Sequence, residues 1–157
     1  MHSFYCNKFS IECGTLDELQ GYVHKSRIIP LNKLNKYSGN DLIFKYTLAP
    51  FNKEDKIIDY SNDKYIVHIN GLHPWGTDGD LPTTEIKAIK VSIESKEIFI
   101  PKILFMDIYE CGNEFDIYKI ENKYIVFQFN SDGAGGYDLA WVITKGGIKQ
   151  RLVGTLY

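Results

Sequence analysis

His73, Trp75, Asp78, Asp80 and Glu85 lie close together in the block His68-Ile-Asn-Gly-Leu-His-Pro-Trp-Gly-Thr-Asp-Gly-Asp-Leu-Pro-Thr-Thr-Glu85. Two imidazoles, an indole and three carboxylates on or beside a Gly/Pro-rich loop are the groups that a ligand cleft or a small enzyme site uses, and loops are where such sites sit. The same residue types have structural uses. Asp and Thr in such a loop make side-chain turns with neighbouring amides, and Trp75, between Pro74 and Gly76, reads as either a core plug or an interface anchor. A calcium ion does not suit the loop: Asp78-x-Asp80 with Glu85 lacks the ligand register and sixth-position glycine of a calcium motif. Cys6, Cys13, His68 and His73 lack the paired spacing of a zinc site. Neither a metal nor a cofactor is expected.

A second block, Ser131-Asp-Gly-Ala-Gly-Gly-Tyr-Asp-Leu-Ala-Trp141, is glycine-rich enough to present amides to an anion. A phosphate loop needs a strand feeding a helix, however, and Tyr137 onwards reads as another strand, so a hairpin loop is expected. Trp141 alternates with Leu139 and Ile143 and belongs to the core. No Gly-x-Ser-x-Gly elbow occurs, and no cysteine stands in a catalytic context. Together the WGTDG and SDGAG blocks resemble paired blocks in small, uncharacterised bacterial β-rich proteins, over residues 68 to 144 and leaving the N-terminal part unmatched. The resemblance implies an intact β-rich domain, and it carries neither an activity nor catalytic residues.

Charge narrows the partners. Eighteen Lys and Arg against twenty Asp and Glu leave a net charge of −2, so no global field attracts nucleic acid or anionic lipid. Locally, Asp107 to Asp138 holds seven acids against two bases. Asp116, Glu121 and Asp132 in this stretch, with Trp75, are the candidate contacts for a basic protein partner; the plainer expectation is a set of solvated acids that never converge. No apolar run reaches membrane-span length and the N-terminus has no signal-peptide core, so a cytoplasmic protein is expected. Three cysteines cannot all pair within one chain and are expected to be reduced.

The elements that must position these residues predict one α+β domain over residues 1–157: a mostly antiparallel sheet, a C-terminal meander and one or two short helices. Alternation marks strands at Phe4–Ile11, Leu42–Thr47 and Tyr65–Asn70, and again over Glu85–Ile93, with a phase slip that predicts a bulge at Ala88-Ile89. Four further strands, Phe115–Ile120, Lys123–Asn130, Tyr137–Thr144 and Ile148–Leu156, are joined by turn-forming residues and form the meander. Thr15-Leu-Asp-Glu18 has capping-box spacing and predicts a helix over Leu16–His24; Pro101 predicts a second, short one ahead of Cys111-Gly-Asn113. Signals over Ile28–Lys36 conflict and leave that stretch unassigned. The function expected is a non-enzymatic intracellular binding protein of the immunity type, which neutralises a macromolecular partner; the alternative is a small enzyme or small-molecule binder using the His73–Glu85 loop. The oligomeric state is open.

Overall fold

The computed structural model describes residues 29–62, 64–131 and 133–155. The strand expected at Phe4–Ile11 and the helix at Leu16–His24 lie outside them, as do Cys6, Cys13 and Asp132.

Among the described residues nine strands form three antiparallel sheets. β1 (Leu42–Pro50), β4 (Thr84–Ile93) and β5 (Lys96–Ile98) run in the order β1-β4-β5. β2 (Ile58–Ser61) pairs with β3 (Tyr65–Ile69), and β6 (Asp116–Ile120), β7 (Lys123–Asn130), β8 (Tyr137–Thr144) and β9 (Gly147–Gly154) form the meander in sequence order. Strict alternation orients β1: Leu42, Phe44 and Tyr46 are buried while Ile43, Lys45 and Thr47 face out. The phase slip on β4 is a bulge. Thr47 faces Ala88 but Leu48 faces Ile86, so Lys87 is the unpaired extra residue, next to the expected position. The slip lets Ile86, Val91 and Ile93 all turn inward. β3 carries a similar shift at Val67, which buries both Ile66 and Ile69.

The two larger sheets share one core. Phe44, Tyr46, Val91, Ile93 and Ile98 cluster with Tyr124, Val126, Leu139, Trp141 and Ile143, and the Trp141 Nε1–H donates to the Tyr46 hydroxyl oxygen at 3.0 Å across the interface. Phe115 packs edge-on against both Phe44 and Tyr46. The outer edge of β1 is stitched at Tyr46 by the Asn113 carboxamide, whose Oδ1 accepts from the Tyr46 amide at 2.7 Å and whose Nδ2 donates to its carbonyl at 3.1 Å. A side-chain amide thus stands in for a neighbouring strand.

The fold is β-rich and not α+β. Among the described residues no helix reaches seven residues, and the helical elements are single 3-10 turns at Leu31–Lys33, Lys102–Leu104 and Gly133–Gly135. The helix expected after Pro101 stops at one turn because Phe105 leaves helical geometry at φ −144. Met106 and Ile108 still donate locally, to the Lys102 and Phe105 carbonyls, but from Tyr109 the amides turn elsewhere: that of Tyr109 donates to the Trp75 carbonyl at 2.9 Å and that of Glu110 to the Thr84 carbonyl at 3.4 Å. Those tertiary bonds replace the i→i−4 bonds a helix would make.

Because the Trp141 indole has no water to turn to, Tyr46→Phe should cost about 1–3 kcal/mol in urea unfolding by leaving a buried N–H unpaired. An unchanged midpoint would contradict the role assigned to this bond.

Candidate functional site

The Trp75 loop is part of the core. Trp75 is 9% exposed; its amide donates to the Asp107 carbonyl at 2.8 Å and its carbonyl accepts from Tyr109. His73 packs edge-on against the indole with centroids 4.8 Å apart, and Tyr137 lies on it at 6.2 Å. An indole held this way fills the interior and offers a partner almost no surface. His73 keeps a solvent-exposed edge, and withdrawal of its ring from water, helped by nearby His68, lowers its pKa, with Asp107 acting in the opposite direction.

The two glycine-rich blocks meet. Gly76, at φ +98, sits where a Cβ would collide with the Tyr109 carbonyl oxygen, and its own carbonyl accepts from the Ser131 hydroxyl at 3.2 Å. A Cβ on Gly135 would lie 3.2 Å from the Gly76 oxygen and from Thr77. Glycine is needed at Gly76, and at Gly135 a side chain would press on the Gly76–Thr77 backbone, because two backbones touch there. Over this contact, Thr77, Asp78, Asp80, Thr83, Glu110 and Ser131 line an open hollow of about 520 Å³. The carboxylate of Glu110 is already engaged, accepting from the Thr83 and Thr84 amides and from both threonine hydroxyls.

The five residues of the expected ligand loop therefore divide. Asp78 and Asp80 border the open hollow, and Trp75 is interior with His73 against it. Glu85 turns to the other side, where its carboxylate meets Lys56 Nζ at 3.0 Å in a separate hollow of about 70 Å³. Lys56 Nζ also pairs with Asp55 at 2.7 Å. Among the described residues no three His, Cys, Asp or Glu side chains are grouped to hold a metal ion.

The described acids of the Asp107–Asp138 stretch do not converge either. Asp107 is buried against Arg151 at 2.8 Å, Glu110 is held by the two threonines, and Asp116 pairs with Lys36 at 2.5 Å. Asp138 is part-buried, and desolvation raises its pKa. Glu121 lies beyond the other end of β6 from Asp116, about 16 Å away at ~3.3 Å per residue.

Near Glu121 lies a feature that the linear sequence conceals. The turns β4–β5, β6–β7 and β8–β9 come together around a groove of about 810 Å³, lined by Lys119, Lys123, Lys145 and Lys149 with Glu94, Glu121 and Tyr124 among the remaining walls. Lys119 Nζ is fixed by Asp41 at 2.9 Å and stands over the rings of Tyr37 and Tyr124, 5.3 and 4.7 Å from their centroids. Asp41 also accepts from the Tyr37 and Tyr124 hydroxyls, and these donors with Lys119 hold its pKa far below the usual carboxylate range. Lys145 pairs with Glu94 at 2.5 Å. The four lysines sit beside the first and third turns of the meander; that placement was readable, but their convergence with Glu94 was not.

No family model matches the chain, and neither a curated protein nor a solved structure does so. No helix among the described residues is long and apolar enough to cross a membrane.

Trp75→Ala should lower stability by about 3–5 kcal/mol in chemical denaturation, the cost of emptying a core aromatic site; a loss below about 1 kcal/mol would show that the indole is dispensable to the fold. Cys111, whose thiol is buried, offers a second test. The Tyr137 hydroxyl donates to the Tyr109 carbonyl at 2.8 Å, and the Cys111 Sγ lies 3.0 Å from the Tyr137 oxygen and 3.6 Å from the same carbonyl. Burial pushes the thiol pKa up to about 12, and the thiolate is the reactive form. In a Cys6→Ser/Cys13→Ser protein, Cys111 should resist a thiol reagent at pH 8 until the chain is unfolded. Rapid modification of the native form would contradict this burial.

Proposed function

We propose that the protein is a non-enzymatic binding protein that occludes a protein partner, in the manner of an immunity protein, and that it engages that partner through the lysine-lined groove at the turn end of its meander. The groove itself is the supporting observation. It combines an open depression of about 810 Å³, charged side chains around its walls, and turns anchored by two internal ion pairs, Lys119–Asp41 and Lys145–Glu94. The Lys119–Asp41 pair, held further by the Tyr37 and Tyr124 hydroxyls, sets its wall before contact and reduces the ordering cost of association. Charges displayed in a depression steer encounter and select partners more than they add raw affinity.

Trp75 and Asp116 contribute to this reading only through the fold, since one is interior and the other is held by Lys36. Glu121 remains a contact candidate because it lies in the groove wall. Residence in the cytoplasm belongs to the same proposal; the unpaired thiol of Cys111 suits a reducing compartment.

Affinity capture from the native host tests the reading. A protein retained by the wild type should be lost from Lys123→Glu/Lys149→Glu at unchanged circular dichroism. A partner kept by that variant but released by Asp78→Asn/Asp80→Asn would move the contact to the other end of the molecule and contradict the proposal.

A further inference from the structure

We propose that the groove selects an acidic protein segment, with the ammonium groups of Lys123 and Lys149 as its recognition elements; this rests on the binding-protein reading and specifies the partner's chemistry. The four lysines are not equivalent. Lys119 and Lys145 are engaged by Asp41 and Glu94, whereas Lys123 and Lys149 form no ion pair among the described residues. Two lysines thus build the walls and two remain free to bind.

The position of Lys149 is set by the backbone. In the β8–β9 ladder Val142 faces Gln150 but Ile143 faces Ile148, so Lys149 is the extra residue of a β-bulge. A bulge re-aims the side chain it carries. Lys149 Nζ reaches back over the turn, so that a Cβ added at Gly146 would lie 3.4 Å from it. That ordinary contact distance places the Lys149 ammonium group beside the turn at Gly146. Lys123 begins β7 immediately after the Glu121-Asn122 turn, which places both free lysines on the groove lining.

The sign and the mixture of charges identify the occupant. Four lysines against Glu94, Glu121 and the Asp41 carboxylate that pairs with Lys119 leave the groove positive through Lys123 and Lys149, in a chain whose net charge is negative. A nucleic-acid backbone carries a phosphate every ~3.4 Å per strand and would meet both glutamates as well as the lysines. A protein segment can space its carboxylates to meet Lys123 and Lys149 and leave neutral groups opposite Glu121. The apolar stems of the lysines and the Tyr124 ring give such a segment a surface to lie on. In this arrangement Glu121 opposes the partner, so removing its charge strengthens binding, contrary to the attractive role expected for it from the sequence.

Fluorescence anisotropy with a labelled Asp/Glu-rich peptide, its Asn/Gln counterpart and a labelled thymidine oligonucleotide tests the inference on the full chain. The acidic peptide should bind about ten-fold more tightly than its neutral counterpart at low salt, and the difference should shrink as salt screens the exposed charges. Lys149→Gln and Lys123→Gln should each weaken it several-fold, while Glu121→Gln tightens it. Equal affinity for the acidic and neutral peptides, or tighter binding of the oligonucleotide, overturns the inference. If the acidic peptide fails while a host protein is still captured in a Lys123- and Lys149-dependent manner, the acidic-segment inference falls and the binding reading stands. If both fail, both fall.

Discussion

The stretch from Phe105 to Cys111 runs through the interior without belonging to a named strand, and its backbone groups must find partners there or cost about 1–3 kcal/mol each. Trp75 supplies the decisive pair, its amide to the Asp107 carbonyl and its carbonyl to the Tyr109 amide. Tyr137 donates to the Tyr109 carbonyl from β8, and Thr84 accepts from Glu110 at the start of β4. The Asp107 carboxylate adds a link to Arg151 of β9. The two larger sheets are therefore tied to one irregular segment, and the β2–β3 sheet joins it through Ile66 and Ile69, which cluster with Tyr109. Burying that ion pair leaves Asp107 Oδ1 and Arg151 Nε without hydrogen-bond partners among the described residues. The pair joins elements more than it contributes net stability.

This constraint explains why the most conspicuous sequence blocks build the fold. WGTDG must bring Trp75 to the buried segment, and Gly76 must be glycine to let its backbone pass Tyr109. SDGAG must close against Gly76 through Ser131 and Gly135. The opposite demand applies at the β6–β7 and β8–β9 turns. There the chain leaves the core, the lysines project into solvent, and internal ion pairs fix the walls without closing the groove.

Much of the sheet structure was legible in the sequence because local rules governed it. Alternation over Leu42–Thr47 and the slip before Ile89 report which side of a pleated strand is wet, and Glu121-Asn122 and Lys145-Gly146 are turn-forming pairs between apolar runs. The segment after Pro101 misled because its mixed apolar spacing gives no hint that Trp75 and Thr84 will compete for its amides. The candidate site was less legible still. Grouping by sequence placed Glu85 with Asp78 and Asp80, yet β4 turns it towards Lys56, and in the acidic stretch Asp107, Glu110 and Asp116 are engaged by Arg151, by Thr83 with Thr84, and by Lys36, while Glu121 lies beyond the far end of β6. The groove depends on register: Lys119, Lys123, Lys145 and Lys149 converge only when the meander is paired, and Lys149 reaches the turn through a bulge that its flanking residues do not announce.

Two ends of one molecule thus have different work, with glycine-mediated backbone contact at one and a charged, pre-formed groove at the other. Hydrogen–deuterium exchange of the protein with and without its captured partner separates them most directly. Protection concentrated in the turn segments around Glu94, Glu121–Tyr124 and Thr144–Lys149, with no change over Gly76–Thr83 and Gly133–Gly135, is the expected result. Protection confined to the two glycine-rich loops, with the lysine groove exchanging as in the free protein, would contradict the placement of the binding surface.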